Sequence, residues 1–249
     1  MPTHPTPTED SADYELLLPS QQPQPTTMGQ EEQFLKPEGR KGDDAAKFIA
    51  LTAAGFLTVI TWAGVFMNNP KHFGWFALHP LLQTLSIFFF TYGILTLQPT
   101  SQPQTKSAGL ARHQAAIMFV GFPSILIGSL AVMYHKELTG KEHGTTWHAT
   151  FGTIVFLWLL FQVVIGGGSV WFNGAAFGGG KAKAIWKYHR LSGYLLFPIL
   201  LFTIHLGGGW SNWGNTNVGK APRILAYNVA PVLIVAAVYV RVRGSKMQF

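Results

Sequence analysis

The chain alternates long apolar runs with short polar ones, and the apolar runs set its architecture. Six blocks stand out, at residues 48–67, 76–97, 110–134, 147–172, 186–207 and 224–240. A helix needs about 20 apolar residues to cross roughly 30 Å of hydrocarbon, and it satisfies its own backbone polar groups there. The blocks therefore predict an all-α integral membrane protein with six transmembrane helices, the last being the shortest. They use most of the chain beyond residue 45 and leave no room there for a separate soluble domain. The expected organisation is a tail over 1–44 followed by a transmembrane domain over 45–245.

The tail reads differently. Residues 1–44 hold seven of the fifteen prolines and nine of the eleven acids, with no apolar period, so they cannot bury a core. Such a segment is expected to be disordered. The first apolar block starts late, behind this acidic stretch, which argues against a signal peptide. Asp13-Tyr14-Glu15-Leu16-Leu17-Leu18 has the form of an acidic dileucine or tyrosine-based sorting address, although a chance cluster is the plainer reading.

Charge adds an orientation. Only 12% of residues are charged, about half the roughly 25% of soluble domains. The net charge of +7 does not point to nucleic acid, because the cations sit in loops between the apolar blocks. Thirteen Lys and Arg fall on the side that holds both termini, the second–third loop and the fourth–fifth connection; five fall on the other. The positive-inside rule places both termini in the cytosol. Tryptophans 75, 147, 171, 186, 210 and 213 fall at predicted span ends, where an aromatic belt meets the lipid headgroups. Endosomal, vacuolar, reticular and plasma membranes all stay open at this stage.

The chemistry narrows next. With no cysteine, disulfides, thiolate haem ligands and iron–sulfur clusters are excluded. No Asp or Glu lies inside a predicted span, unlike the intramembrane carboxylates of proton-coupled transporters. The buried ionisable groups are chiefly histidines. His79, His113, His148 and His189 each lie in the first turn or so of blocks two to five. Consecutive spans run antiparallel, so His79 and His148 share the non-cytosolic level and His113 and His189 the cytosolic one. Two histidines facing each other across a bundle supply both axial ligands of a haem iron, and four make two stacked haems. Gly152 and Gly193 each follow a histidine by four residues, on the same helix face, where a side chain would collide with a flat macrocycle. Pro80 suits the first turn of a helix.

A lone histidine at a span end is ordinarily just an interfacial polar residue; four at matching depth in consecutive spans are not so explained. A plan with both ligands on one helix, about 13 or 14 residues apart, fails. His135 and His148 have that spacing but enclose Lys136, Glu137, Lys141 and Glu142, while His189 and His205 point to nearly opposite faces. Gly178-Gly179-Gly180-Lys181 lacks the Ser/Thr of a phosphate loop, having Ala182 there, and reads as a flexible connection. The runs Gly166–Gly168 and Gly207–Gly209 read as close helix contacts or frayed span ends. His72 and His4 read as plain loop and tail residues. The competing class is a haem-free, histidine-based metal-ion carrier, which would want its ligands converging on one midplane site. A scaffold with an incidental haem is a third.

The runs Leu78-His79-Pro80-Leu81-Leu82, His135-Lys136-Glu137, Gly140-Lys141-Glu142-His143, Trp147-His148 and Tyr188-His189-Arg190-Leu191-Ser192-Gly193 resemble the cytochrome b561 family, and within it the single-domain transmembrane reductases. The resemblance covers roughly residues 45–245. It implies a six-helix membrane fold, often a homodimer, with two haem b groups in the central four-helix bundle. It further implies a transmembrane ascorbate-dependent reductase, passing electrons from cytosolic ascorbate to monodehydroascorbate or a ferric chelate on the far side. By motif match, His113 and His189 would hold the cytosolic haem iron, and His79 and His148 the other. Lys106, Arg112, Lys183, Lys187 and Arg190 would lie near the cytosolic haem, where cations suit an anionic donor. Many members carry a second lysine just before the third-span histidine, where this chain has Leu110. On the far side, His135 and His143 would present a ferric substrate or simply fix their loop.

Overall fold

The computed structural model describes residues 38–98 and 102–244. The Asp13–Leu18 run, His4, Lys36, Lys246 and the tail as far as residue 37 lie outside the described residues. Among those described, six helices are long and apolar enough to cross a membrane: α1 (Asp43–Phe66), α2 (Pro70–Thr96), α3 (Pro103–Thr139), α4 (Trp147–Gly168), α5 (Gly179–Gly209) and α6 (Lys220–Arg241). All six predicted blocks are found, and several helices outrun their blocks. In α3, Pro103 occupies the first turn and polar residues carry the helix up to the apolar run. His113 therefore sits about three turns in, not in the first turn. His189 likewise falls two turns into the α-helical part of α5, which begins at Lys183.

Two helices change pitch at a proline. A π-helical segment over Ala116–Gly121 precedes Pro123, and another over Leu225–Val229 precedes Pro231. Proline lacks the N–H that would close the regular ladder, and the preceding turn widens to accommodate it. Pro198 sits inside α5, which continues through it. At the start of α2, Gly74 takes a positive φ of 55° between a short turn of helix (Pro70–Phe73) and a 3₁₀ turn (Gly74–Ala77), and the α-helix proper begins at Leu78. Of the other histidine-bearing helices, α4 is capped by Thr146, whose side chain accepts from the Ala149 N–H at 3.2 Å. His79 and His148 thus do sit in first turns.

The helices pack in a way that matters for function. Close backbone contact joins α1 to α6, α1 to α2, α2 to α3 and α4 to α5, with α6 also touching α5 and α2. Among the described residues, no comparable contact joins α2 or α3 to α4 or α5. Two helix pairs therefore stand apart across a gap, with α1 and α6 closing one side. Small residues permit the close pairings. Gly208 lies against the Tyr227 ring and Gly214 against the Gly208 carbonyl, so the Gly207–Gly209 run is a helix contact.

The ends of α1, α3 and α6 are tied by a polar cluster. Asp43 is 2% exposed; its carboxylate accepts from the Arg40 backbone N–H at 2.7 Å and faces the guanidinium groups of Arg40 at 3.3 Å and Arg243 at 3.6 Å. Arg241 donates to the carbonyls of Asp43 and Gln98. Glu38 accepts from the Gln102 N–H at 2.8 Å and the Thr105 hydroxyl at 2.6 Å. Removing one partner of a buried ion pair costs about 3–5 kcal/mol. Partial exposure of both arginines places Asp43→Ala near about 2–3 kcal/mol. A detergent thermal melt should show a lowered midpoint; an unchanged one would mean that the cluster contributes nothing.

Candidate functional site

Four histidines span the gap between the helix pairs. His79 from α2 meets His148 from α4, with ring centroids 5.8 Å apart and planes crossed at 80°. His113 from α3 meets His189 from α5 at 6.5 Å and 83°. The first pair sits at one end of the bundle, beside the α3–α4 connection; the second lies toward the end where α1 begins and α6 finishes.

Each imidazole is held by the helix beside its own. His79 Nδ1 bonds to the Gly128 carbonyl of α3 at 3.1 Å, and His113 Nδ1 bonds back to the Gly93 carbonyl of α2 at 3.1 Å. The α4–α5 pair repeats the arrangement. His148 Nδ1 bonds to the Thr203 carbonyl at 2.9 Å, and His189 bonds back to the backbone of Gln162. In His79, His113 and His148 the carbonyl accepts only, so Nδ1 carries the proton and Nε2 keeps its lone pair. That is the tautomer a metal requires, and the second-shell bond that fixes a ligating ring. The cross-wired pattern makes α2–α3 and α4–α5 two copies of one device.

These residues fit a haem. A metal–nitrogen bond of about 2 Å, plus roughly 1 Å from nitrogen to ring centre on each side, separates opposed imidazole centroids by roughly 6 Å. Both observed separations bracket that figure. The gap between the helix pairs is where a planar group would lie. A Cβ at Gly193 would meet nothing within 4 Å, and one at Gly152 would meet only the Thr203 methyl at 3.7 Å. Among the described residues, no group of three or more His, Asp or Glu could hold a bare metal ion. Two axial ligands per layer suit an iron whose remaining positions come from a macrocycle.

Other glycines, which the sequence reading assigned to helix contacts in general, turn out to serve the histidines in particular. A Cβ at Gly166 would stand 2.7 Å from the His189 ring, and one at Gly207 would stand 2.6 Å from the His148 ring. Their absence lets each imidazole lie flat on the neighbouring helix. Gln162, a lone polar residue deep in an apolar block, went unremarked; its position in α4 was the available signal.

The outlying candidates fall at the two ends. Lys106 and Arg112 lie exposed on α3, Lys183 exposed on α5, and Lys187 and Arg190 are partly buried there. Arg112 and Arg190 each adjoin a histidine of the second pair, so this end is basic. At the other end His143 and His135 part company. His143 Nε2 bonds to Glu137 at 2.9 Å. The His135 ring lies 6.1 Å from Phe76, which lies 6.1 Å from His79. His72 packs edge-on to Phe73, and His205 Nδ1 bonds to the Tyr227 carbonyl at 2.9 Å.

Comparison with known proteins agrees with this geometry. A family model described as eukaryotic cytochrome b561 matches residues 78–213, more than half of the chain and the stretch that holds all four paired histidines. Transmembrane reductase CYB561D2 of Bos taurus is 31% identical over 121 residues, which cover 47% of this chain and 51% of that protein. The Homo sapiens and Mus musculus proteins of the same name are 30% and 29% identical over the same length. The chain thus spans about half the length of the curated relatives it matches.

Proposed function

Because the chain belongs to the eukaryotic cytochrome b561 family, we propose that it moves electrons across a membrane as a di-haem b cytochrome, from cytosolic ascorbate to monodehydroascorbate or a ferric chelate on the far side. The observation that carries this reading is the pair of opposed histidine couples, 5.8 Å and 6.5 Å between ring centroids, at two levels of one bundle. In this reading His113 and His189 hold the cytosolic haem, and His79 and His148 the other. Haem bound there supplies reversible one-electron chemistry at its iron. The chain's own residues ligate through Nε2, fix the tautomer of His79, His113 and His148 through Nδ1 and keep water from the bundle interior.

Ascorbate is an anion. Lys106, Arg112, Lys183, Lys187 and Arg190 give the His113–His189 end the positive field that would attract it. One electron and one proton leave ascorbate on the cytosolic side, and one electron reduces the acceptor opposite. An inside-negative potential favours that direction by about 2.3 kcal/mol per 100 mV. His135, linked to His79 through Phe76, and His143 would face the acceptor. The reading carries with it a multi-pass protein with cytosolic termini, seated in lipid as a homodimer. The metal-carrier reading is disfavoured by the split of the histidines into two layers.

The test is an absorbance spectrum of the detergent-purified protein, oxidised and then reduced, with haem counted per chain. Two low-spin b-type haems, reducible by ascorbate in the same cuvette, are expected. A colourless protein from haem-replete cells would overturn the electron-transfer reading; two haems that ascorbate leaves oxidised would overturn the donor.

A further inference from the structure

Between the end of α5 and the first turn of α6, two buried N–H groups have no acceptor among the described residues. They are the indole Nε1 of Trp213 and the guanidinium Nε of Arg223. A donor taken out of water without an acceptor is costly, so each calls for an explanation. A tryptophan N–H ordinarily finds a partner when it is buried.

Their surroundings tie both donors to the His79–His148 level. Trp213 stands in a short helix, Asn212–Asn217, that follows α5. One corner of its ring lies 3.6 Å from where a Cβ at Gly64 of α1 would be, and its ring centroid is 6.4 Å from that of Phe76. Phe76 in turn lies 6.1 Å from His79. Arg223 donates through Nη1 to the Gly209 carbonyl at 2.9 Å and to Asn215 Oδ1. Gly209 closes α5 two residues beyond Gly207, the residue that the His148 ring packs against. One donor is thus linked to the pair through Phe76, and the other through the end of α5.

Both donors suit a carboxylate, and the protein supplies none. The acids described at this end are Glu137 and Glu142, both exposed near the α3–α4 turn, and Glu137 is engaged by His143. Either would have to shed its hydration to reach a buried donor. A haem b carries two propionate carboxylates on one edge, and a carboxylate accepts bonds shorter and stronger than neutral groups do. Two axial imidazoles leave the macrocycle free to rotate about the line between them. Donors at one edge select one rotation.

We propose that Trp213 and Arg223 hold the propionate edge of the haem at the His79–His148 level, turning it toward the α5–α6 connection. The proposal rests on the haem reading above. Soret-excited resonance Raman spectra of the purified holoprotein report the propionate bending mode, and bands missing from a His148→Ala protein identify the centre concerned. Trp213→Phe, which keeps a ring against Gly64 and Phe76, should shift that mode at this centre alone. It should also speed haem transfer from this centre to excess apomyoglobin about tenfold, as the loss of one hydrogen bond to a charged group would. Arg223→Gln, which retains an N–H for the Gly209 carbonyl, should shift the same mode and serves if Trp213→Phe does not fold. Faster transfer with an unmoved propionate mode would mean that Trp213 only packs, and would overturn the proposal, as would equal changes at both centres. In a wild type that binds two haems, those results leave the parent reading standing. A wild type without haem would overturn both.

Discussion

On the di-haem reading proposed above, a His148→Ala protein is expected to bind one haem in place of two. Its partner His79 stays anchored to the Gly128 carbonyl at 3.1 Å, but a single imidazole leaves one axial position unfilled. The His113–His189 pair should be untouched, because its supports lie at the other level: His113 Nδ1 bonds to the Gly93 carbonyl of α2, and His189 packs against Gln162, about four turns along α4 from His148. His113→Ala should produce the mirror result. Haem per chain and the low-spin spectrum check both. Transmembrane reduction in vesicles should fall by at least about 100-fold in either variant, since even outer-shell partners of a metal cost 10–100-fold. Two haems retained in His148→Ala would sink the pairing.

Gly207→Ala should cost the same haem by a different route. The added Cβ would stand 2.6 Å from Cε1 of His148, and the ring has no easy retreat, because its Nδ1 is bonded to the carbonyl of Thr203, one turn away on the same helix. Either α4 and α5 separate or the imidazole swings out of line with His79. Overpacking of this kind costs about 1–3 kcal/mol, which lowers the melting midpoint and reduces occupancy of the His79–His148 centre. Gly166→Ala should do the same to the other centre, with its Cβ 2.7 Å from the His189 ring. The two variants should therefore bleach different haems. Equal occupancy of both centres in each variant would show that the rings move freely and that these glycines are ordinary packing residues.

Much of this was legible along the chain. Six helices follow from six apolar blocks, because hydrocarbon tolerates no other way of pairing the backbone in a single segment. The two levels of histidine follow from antiparallel spans of similar length, and both pairs were named from spacing alone. Helix ends were less legible. The starts of α3 and α5 are polar and helical at once, a combination that hydropathy does not register, so His113 and His189 sit deeper in their helices than expected. Glu38–Asp44, read as the end of a tail, bond to Gln102, Thr105 and the α6 terminus, partners that are 60 or more residues away in sequence.

The sequence by itself determined a membrane protein, its number of spans, and the four imidazoles with their partners, because hydrophobic length and helical period are local properties. Tertiary structure alone decided what holds those imidazoles in line. Gly128, Gly93, Thr203 and Gln162 present backbone groups, which every residue possesses and no motif can mark. Gly166 and Gly207 matter for the atom each lacks, at a point where a ring from another helix arrives. The gap between the two helix pairs belongs to neither pair, since it exists only where packing stops.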